Sequence, residues 1–119
     1  MPEAVLVFCT VPSDFDAFGL ARELVERSLA ACVQVGPVVA SVYRWQGAVE
    51  RSDERLLLIK SRGEVFGALE AAIKARHPYE VPEIVAVPIA AGHAPYLAWL
   101  AGATGAEGLT SRRKDSPAG

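Results

Sequence analysis

Two prolines four residues apart lie within His77-Pro78-Tyr79-Glu80-Val81-Pro82-Glu83, and no other stretch of the chain restricts its own backbone so tightly. Each proline fixes φ and drives the residue before it out of helical geometry, so His77 and Val81 must be extended. Upstream, Val65, Phe66, Leu69, Ala72, Ile73 and Arg76 recur at helical spacing and predict a helix over residues 64–75. Downstream, Ile84-Val85-Ala86-Val87-Pro88-Ile89 reads as a buried strand over residues 83–89. The proline segment is therefore a stiff joint with Pro78, Tyr79 and Pro82 as its structural members. It delivers His77, Tyr79 and Glu80 to the end of a sheet.

The chain before the joint alternates in the same way between strand and helix signals. Ala4-Val5-Leu6-Val7-Phe8-Cys9 is apolar on both alternating faces, the pattern of a central strand covered on both sides, with a turn expected over residues 10–13. Ser13 and Asp16 suggest a helix cap. Ala17, Ala21, Leu24, Val25, Ser28 and Leu29 form one stripe, predicting a helix to about residue 30 with Glu23 and Arg27 paired outside. A second strand begins at Ala31, is interrupted at Gly36-Pro37 and resumes to Gln46. Gly47 turns the chain, and a third strand runs back over residues 48–60.

Both arms of this hairpin exceed the usual ~5 to 6 residues per strand, so its outer part should project. That part carries Val42, Tyr43 and Trp45 opposite Val49, more apolar surface than a bare ribbon leaves in water, and a partner chain is expected to cover it. After the fourth strand, Pro95, Tyr96, Leu97, Trp99 and Leu100 predict a short terminal helix held by packing, ended by Gly102 and Gly105.

Strand, helix, strand, strand, helix, strand is the order of two split βαβ units. The economical fold is of the α+β class, a ferredoxin-like βαββαβ sandwich with an extended hairpin and an additional C-terminal helix. In that topology the strand order is 4-1-3-2 and both long helices lie on one face. Cys9 then sits at the top of the first strand and His77 just above the top of the fourth, its neighbour, so the two should converge. Cys32 lies a strand length away, and no intrachain disulfide is expected.

Composition narrows the functional classes. A chain of 119 residues, 51% hydrophobic and 22% charged, is sized for one domain, expected over residues 1–103 with a flexible polar tail over 104–119. A net charge of −2 gives no broad positive field for nucleic acid, and the one dense basic run, Arg112-Arg113-Lys114, falls in the tail. No apolar stretch approaches the ~20 residues that span a bilayer, and Met1-Pro2-Glu3 with the short run after it does not resemble an export signal. Two cysteines without dense spacing suit a cytoplasmic location with free thiols. No nucleophile elbow, phosphate loop, dinucleotide fingerprint or His-Glu-x-x-His motif is present, so no enzyme activity is expected.

Val7-Phe8-Cys9-Thr10-Val11-Pro12, Leu29-Ala30-Ala31-Cys32-Val33, Ser41-Val42-Tyr43-Arg44-Trp45-Gln46-Gly47, Leu58-Ile59-Lys60-Ser61 and the proline joint together resemble the CutA divalent-cation-tolerance family. The Tyr-Arg-Trp-x-Gly and His-Pro-Tyr-Glu-x-Pro blocks carry it in combination. The resemblance implies a homotrimer of ferredoxin-like subunits, PII-like in architecture, in which Val42, Tyr43 and Trp45 hold subunits together. It also implies a role in tolerance of divalent cations such as copper, with Cys9 and His77 at positions associated with copper binding. Some members carry a second histidine where this chain has Arg76.

Thiolate and imidazole suit copper or zinc over magnesium or calcium. Glu80, a neighbouring subunit or water would have to complete the sphere. The same residues also read as structure: Cys9 as a small buried hydrophobe, His77 as a polar group satisfied at a helix end. A second functional class stays open, a PII-like signalling or scaffold module binding a small anion or a protein at subunit clefts. Arg44, Lys60 and Arg62 are its candidate anion contacts.

Overall fold

The alternation of the first strand sets the layering. In the computed structural model, which describes residues 3–105, β1 (Ala4–Pro12) turns Val5, Val7, Cys9 and Val11 to one face, where all four are buried. Against them pack Leu20 and Leu24 of α1 (Ala17–Glu26) and Leu69 and Ile73 of α2 (Phe66–Arg76), with Leu57 and Ile59 of β3 (Ala48–Arg62) beside them. Both helices thus cover the same side of the sheet. Each of these aliphatic side chains contributes roughly 2 kcal/mol by leaving water.

The sheet has four strands in the order β2-β3-β1-β4, where β2 is Cys32–Trp45 and β4 is Ile84–Pro88, and every pairing is antiparallel. This is the order expected from the element sequence. Strand β1 runs three residues past its expected end, pairing Pro12 with Glu54, and the turn follows it. Asp16, not Ser13, caps α1, its Oδ1 accepting from the Gly19 N–H at 3.0 Å. The helix closes at Glu26, short of residue 30, because Ser28 takes a φ of 58° that no helix can continue. A 3-10 turn, Gly63–Val65, leads into α2.

Strand β4 was expected to be buried, yet only Ile84 and Ala86 pack on the core while Val85 and Val87 stay exposed. The reason is positional: β4 is an edge strand and its outer face has no second layer over it. Leu6 and Phe8 on the same face are half-buried for that reason. Helix α3 (Ala94–Gly102) covers only the lower end of this face, where Tyr96, Leu97, Trp99 and Leu100 meet Ala4 and Ala31.

The domain extends beyond the expected end at residue 103. Thr104 is fully buried, and Arg62 donates to its hydroxyl at 2.7 Å and to its carbonyl at 2.9 Å; the Gly105 N–H bonds the Ser28 carbonyl. The remaining expected tail, with Arg112-Arg113-Lys114, lies outside the described residues. No helix among the described residues is long and apolar enough to cross a membrane.

Strands β2 and β3 make the hairpin, with a register shift between Val35 and Val38 at the Gly36-Pro37 step. A Cβ on Gly36 would stand 3.0 Å from the Leu56 carbonyl oxygen, so a side chain there would push the two backbones apart by a few tenths of an ångström. Beyond Glu54, β3 leaves β1 and pairs with β2 alone. The ribbon projects, stretching the molecule to 47 Å against 26 and 23 Å across. Gln46 and Gly47, both at positive φ, close it.

Candidate functional site

Pro78 stops α2, and His77 takes φ −71°, ψ 133°, although its own N–H still bonds the Ile73 carbonyl. The change of direction throws the imidazole across the end of β1. There Nε2 lies 2.7 Å from the Thr10 carbonyl oxygen, while Nδ1 accepts from the Tyr79 N–H at 3.1 Å. That second bond fixes the tautomer: Nδ1 offers its lone pair, so Nε2 carries the proton and donates to Thr10. The ring is buried, stacked on Phe15 and tilted against Tyr79.

Cys9 reaches the same place from the core side. Its sulfur lies 3.8 Å from the same Thr10 oxygen, a weak contact, and the residue is wholly buried. Burial, reinforced by the charges of Glu83 and Glu54, pushes the thiol up to about 12. Cys9 and His77, far apart in the chain, converge on one oxygen atom. Glu80 is exposed.

The two candidate donors are occupied as they stand. His77 has both ring nitrogens in hydrogen bonds and Cys9 holds its proton, so a metal ion entering here must displace the Thr10 contact and release the thiol proton. Among the described residues, no group of three or more His, Cys, Asp or Glu side chains is placed to hold a metal ion. The residues do not form a ready-made coordination sphere. Arg76, at the position of the second histidine, donates to Glu23 at 3.0 Å and ties α2 to α1.

The basic candidates are scattered. Arg44 contacts the Gly47 carbonyl at the hairpin tip and Lys60 bonds Gln34 on β2. Arg62 is buried among Thr104, Glu3 and Glu64. They do not converge on an anion site.

The proposed contact residues of the hairpin are open to solvent: Val42 is 69% exposed, and Tyr43, Trp45 and Val49 are also exposed. On the sheet face that carries Thr10, the hairpin and the proline joint enclose a groove of about 720 Å³. Tyr43, Trp45 and Tyr79 line it together with Glu54, Glu80 and Glu83. Glu54 is 6% exposed and accepts from the Tyr79 hydroxyl at 2.8 Å, and Thr10 Oγ1 reaches Glu83 at 3.5 Å. Burial, then the bond to Glu54, raises the Tyr79 phenol to about 12.

Glu54 lies in no motif, and Glu83 ends the proline joint without a signal of its own. The available signal was pairing: Glu54 lies two residues from Leu56, hence on the same face as the Leu56 partner Thr10.

Comparison with known proteins decides the family. Residues 5–103 match the family described as CutA1 divalent ion tolerance protein. The chain belongs to the CutA1 family. It is 51% identical over 105 residues to the divalent-cation tolerance protein CutA of Thermus thermophilus, covering 88% of this chain and all of that one. It is 42% identical over 98 residues to the Pectobacterium atrosepticum CutA, covering 82% and 89% of the two chains. Longer CutA relatives exist, and the chain spans 62% of the Xenopus laevis homologue and 57% of a chloroplastic one from rice. Among solved CutA1 structures, that of Thermus thermophilus superposes with a TM-score of 0.83 at 50% identity, covering 86% of this chain and 99% of that one. CutA1 of a Shewanella species gives 0.83 at 42% identity, covering 87% and 96%.

Proposed function

We propose that this chain is a non-enzymatic, cytosolic divalent-cation-tolerance protein, assembled as a PII-like homotrimer of ferredoxin-like subunits. In this reading it takes up copper, or zinc or a similar divalent ion, where β1 meets the proline joint, with Cys9 and His77 as donors and Glu80, a neighbouring subunit or water completing the sphere. The carrying observation is that the Cys9 sulfur and the His77 imidazole face one carbonyl oxygen. Trimer formation is supported by the uncovered apolar faces of β4 and of the hairpin. Two free cysteines fit a reducing compartment.

The chemistry sets a direction with pH. Binding through Cys9 releases a proton from a thiol held near 12, so affinity rises about tenfold per pH unit over the whole neutral range. Calorimetric titration of the chelator-treated trimer with Cu(II) tests the reading. Cys9→Ser and His77→Ala should each weaken binding at least about tenfold, roughly 1.4 kcal/mol, with light scattering still reporting three chains. Parent-like copper affinity in both variants would move the site elsewhere.

A further inference from the structure

A carboxylate that is 6% exposed costs free energy unless a donor meets it, and Glu54 meets the Tyr79 hydroxyl at 2.8 Å. Glu54 stands opposite Pro12, the last position at which β3 pairs with β1, so the sheet fixes where the acid lies. Its bond therefore ties the proline joint to the sheet. A leucine and a phenylalanine would fill the same space without burying a charge; what the polar pair adds is a fixed place for the Tyr79 backbone.

That backbone acts on His77. The Tyr79 N–H donates to Nδ1 at 3.1 Å, and the two rings lie 4.8 Å apart. The proton is thereby kept on Nε2, which donates at 2.7 Å to the Thr10 oxygen that the Cys9 sulfur also faces. A neutral imidazole coordinates a metal through the nitrogen without a proton, and its other nitrogen then donates to a carbonyl or carboxylate. Here the two places are reversed: the nitrogen on the Cys9 side holds the proton, and the other faces an N–H donor. Uptake beside Cys9 requires one proton to leave Nε2 and one to arrive on Nδ1. The Tyr79 N–H opposes that exchange for as long as Glu54 holds the joint in place.

We infer that Glu54 is a positioning residue for His77, acting through Tyr79 to keep the imidazole in the tautomer that does not take a metal beside Cys9. The bond must open before that nitrogen becomes a donor. Its bearing on metal rests on the uptake proposed at Cys9 and His77, whereas its hold on the tautomer stands without it.

The test is read first without metal. The full chain, assembled and in EDTA, has two histidines, and His93→Gln at an exposed position leaves His77 as the one imidazole in a long-range proton–nitrogen correlation spectrum. With Glu54 and Tyr79 intact, Nε2 should carry the proton. Glu54→Leu and Tyr79→Phe should each raise the Nδ1–H form at least about threefold, and the two together no further, because both cut one path. Glu54→Gln keeps an acceptor for the phenol and should retain the parent spectrum. Tyr79→Phe, at a half-buried position, serves if Glu54→Leu fails to fold. Titrated with Cu(II) after the EDTA is removed, Glu54→Leu and Tyr79→Phe should bind at least about threefold more tightly than the parent, in step with the freed fraction. An unchanged His77 spectrum in Tyr79→Phe overturns the inference, as does Glu54→Gln behaving like Glu54→Leu. Copper binding weaker than the parent's in both Glu54→Leu and Tyr79→Phe overturns it too. A parent that binds no copper refutes uptake at Cys9 and His77, and the spectra alone then decide the role of Glu54.

Discussion

Thr10 supplies a backbone oxygen, not its side chain, to the meeting point of β1 and the joint, and that one atom governs two residues. It holds the His77 ring in a single tautomer and lies in weak contact with the Cys9 thiol. Because the folded state keeps Cys9 protonated to about 12 while an unfolded thiol titrates at 9.0, the sign of the linkage follows. The stability from the neutral thiol is complete below pH 9 and is lost as pH rises towards 12, by on the order of 4 kcal/mol. Urea midpoints measured from pH 8 to 11.5 should therefore fall more steeply for the parent than for Cys9→Ala. Parallel curves would show that the thiol ionises without penalty. The approach of Cys9 to His77 was legible in the sequence, because split βαβ topology makes the first and fourth strands neighbours. The engagement of both ring nitrogens was not, since a carbonyl and an amide N–H are common to every residue and leave no mark on a sequence.

At the scale of elements, Arg62 is the residue that closes the chain. It lies at the end of β3 and gathers Thr104, Glu3 and Glu64 around one buried guanidinium, joining the start of β1, the end of β3 and the segment after α3. Arg62→Met should cost about 3 kcal/mol, because two buried hydrogen bonds and the charge pairing go together. Amide exchange over residues 100–105 should accelerate more than in the core strands. Arg62→Lys, lacking the fork, should recover less than half of the loss. Helix and strand types followed from periodicity, but their ends did not. Ser28 looked like a continuation of the α1 stripe, yet its left-handed backbone breaks the helix and sends Leu29 and Ala30 back to the Leu24 carbonyl. Ser28→Gly should be neutral or stabilising by up to about 1 kcal/mol in chemical denaturation. A clear loss would mean that the hydroxyl, not the backbone, matters there.

For the whole molecule, the faces left uncovered bear on the proposed assembly. Val42 and Val49 are exposed on one face of the hairpin, and Val85 and Val87 on the opposite face of the sheet. In the proposed trimer, Val42→Asp combined with Val49→Asp should yield a single chain in light scattering, while circular dichroism stays folded. Residues 48–53 pair only with β2, so their charge does not enter the core. A variant that keeps the mass of the parent would place the subunit contacts elsewhere. The length of its two arms already predicted that this hairpin would project. It did not show that the same ribbon, folding over the joint, would wall a groove around Glu54, because that acid sat within a polar stretch and looked solvated.

The register shift at Gly36-Pro37 lies just before the point, Val39 opposite Glu54, at which the hairpin leaves the body of the sheet. Inheritance can therefore act on the two parts at different speeds. Duplicated genes could drift apart in the ribbon alone and stop mixing their products in one cell, while every copy kept the same interior. In the proposed trimer, exchanging only the segment beyond that step between two such copies should redirect which chains assemble together.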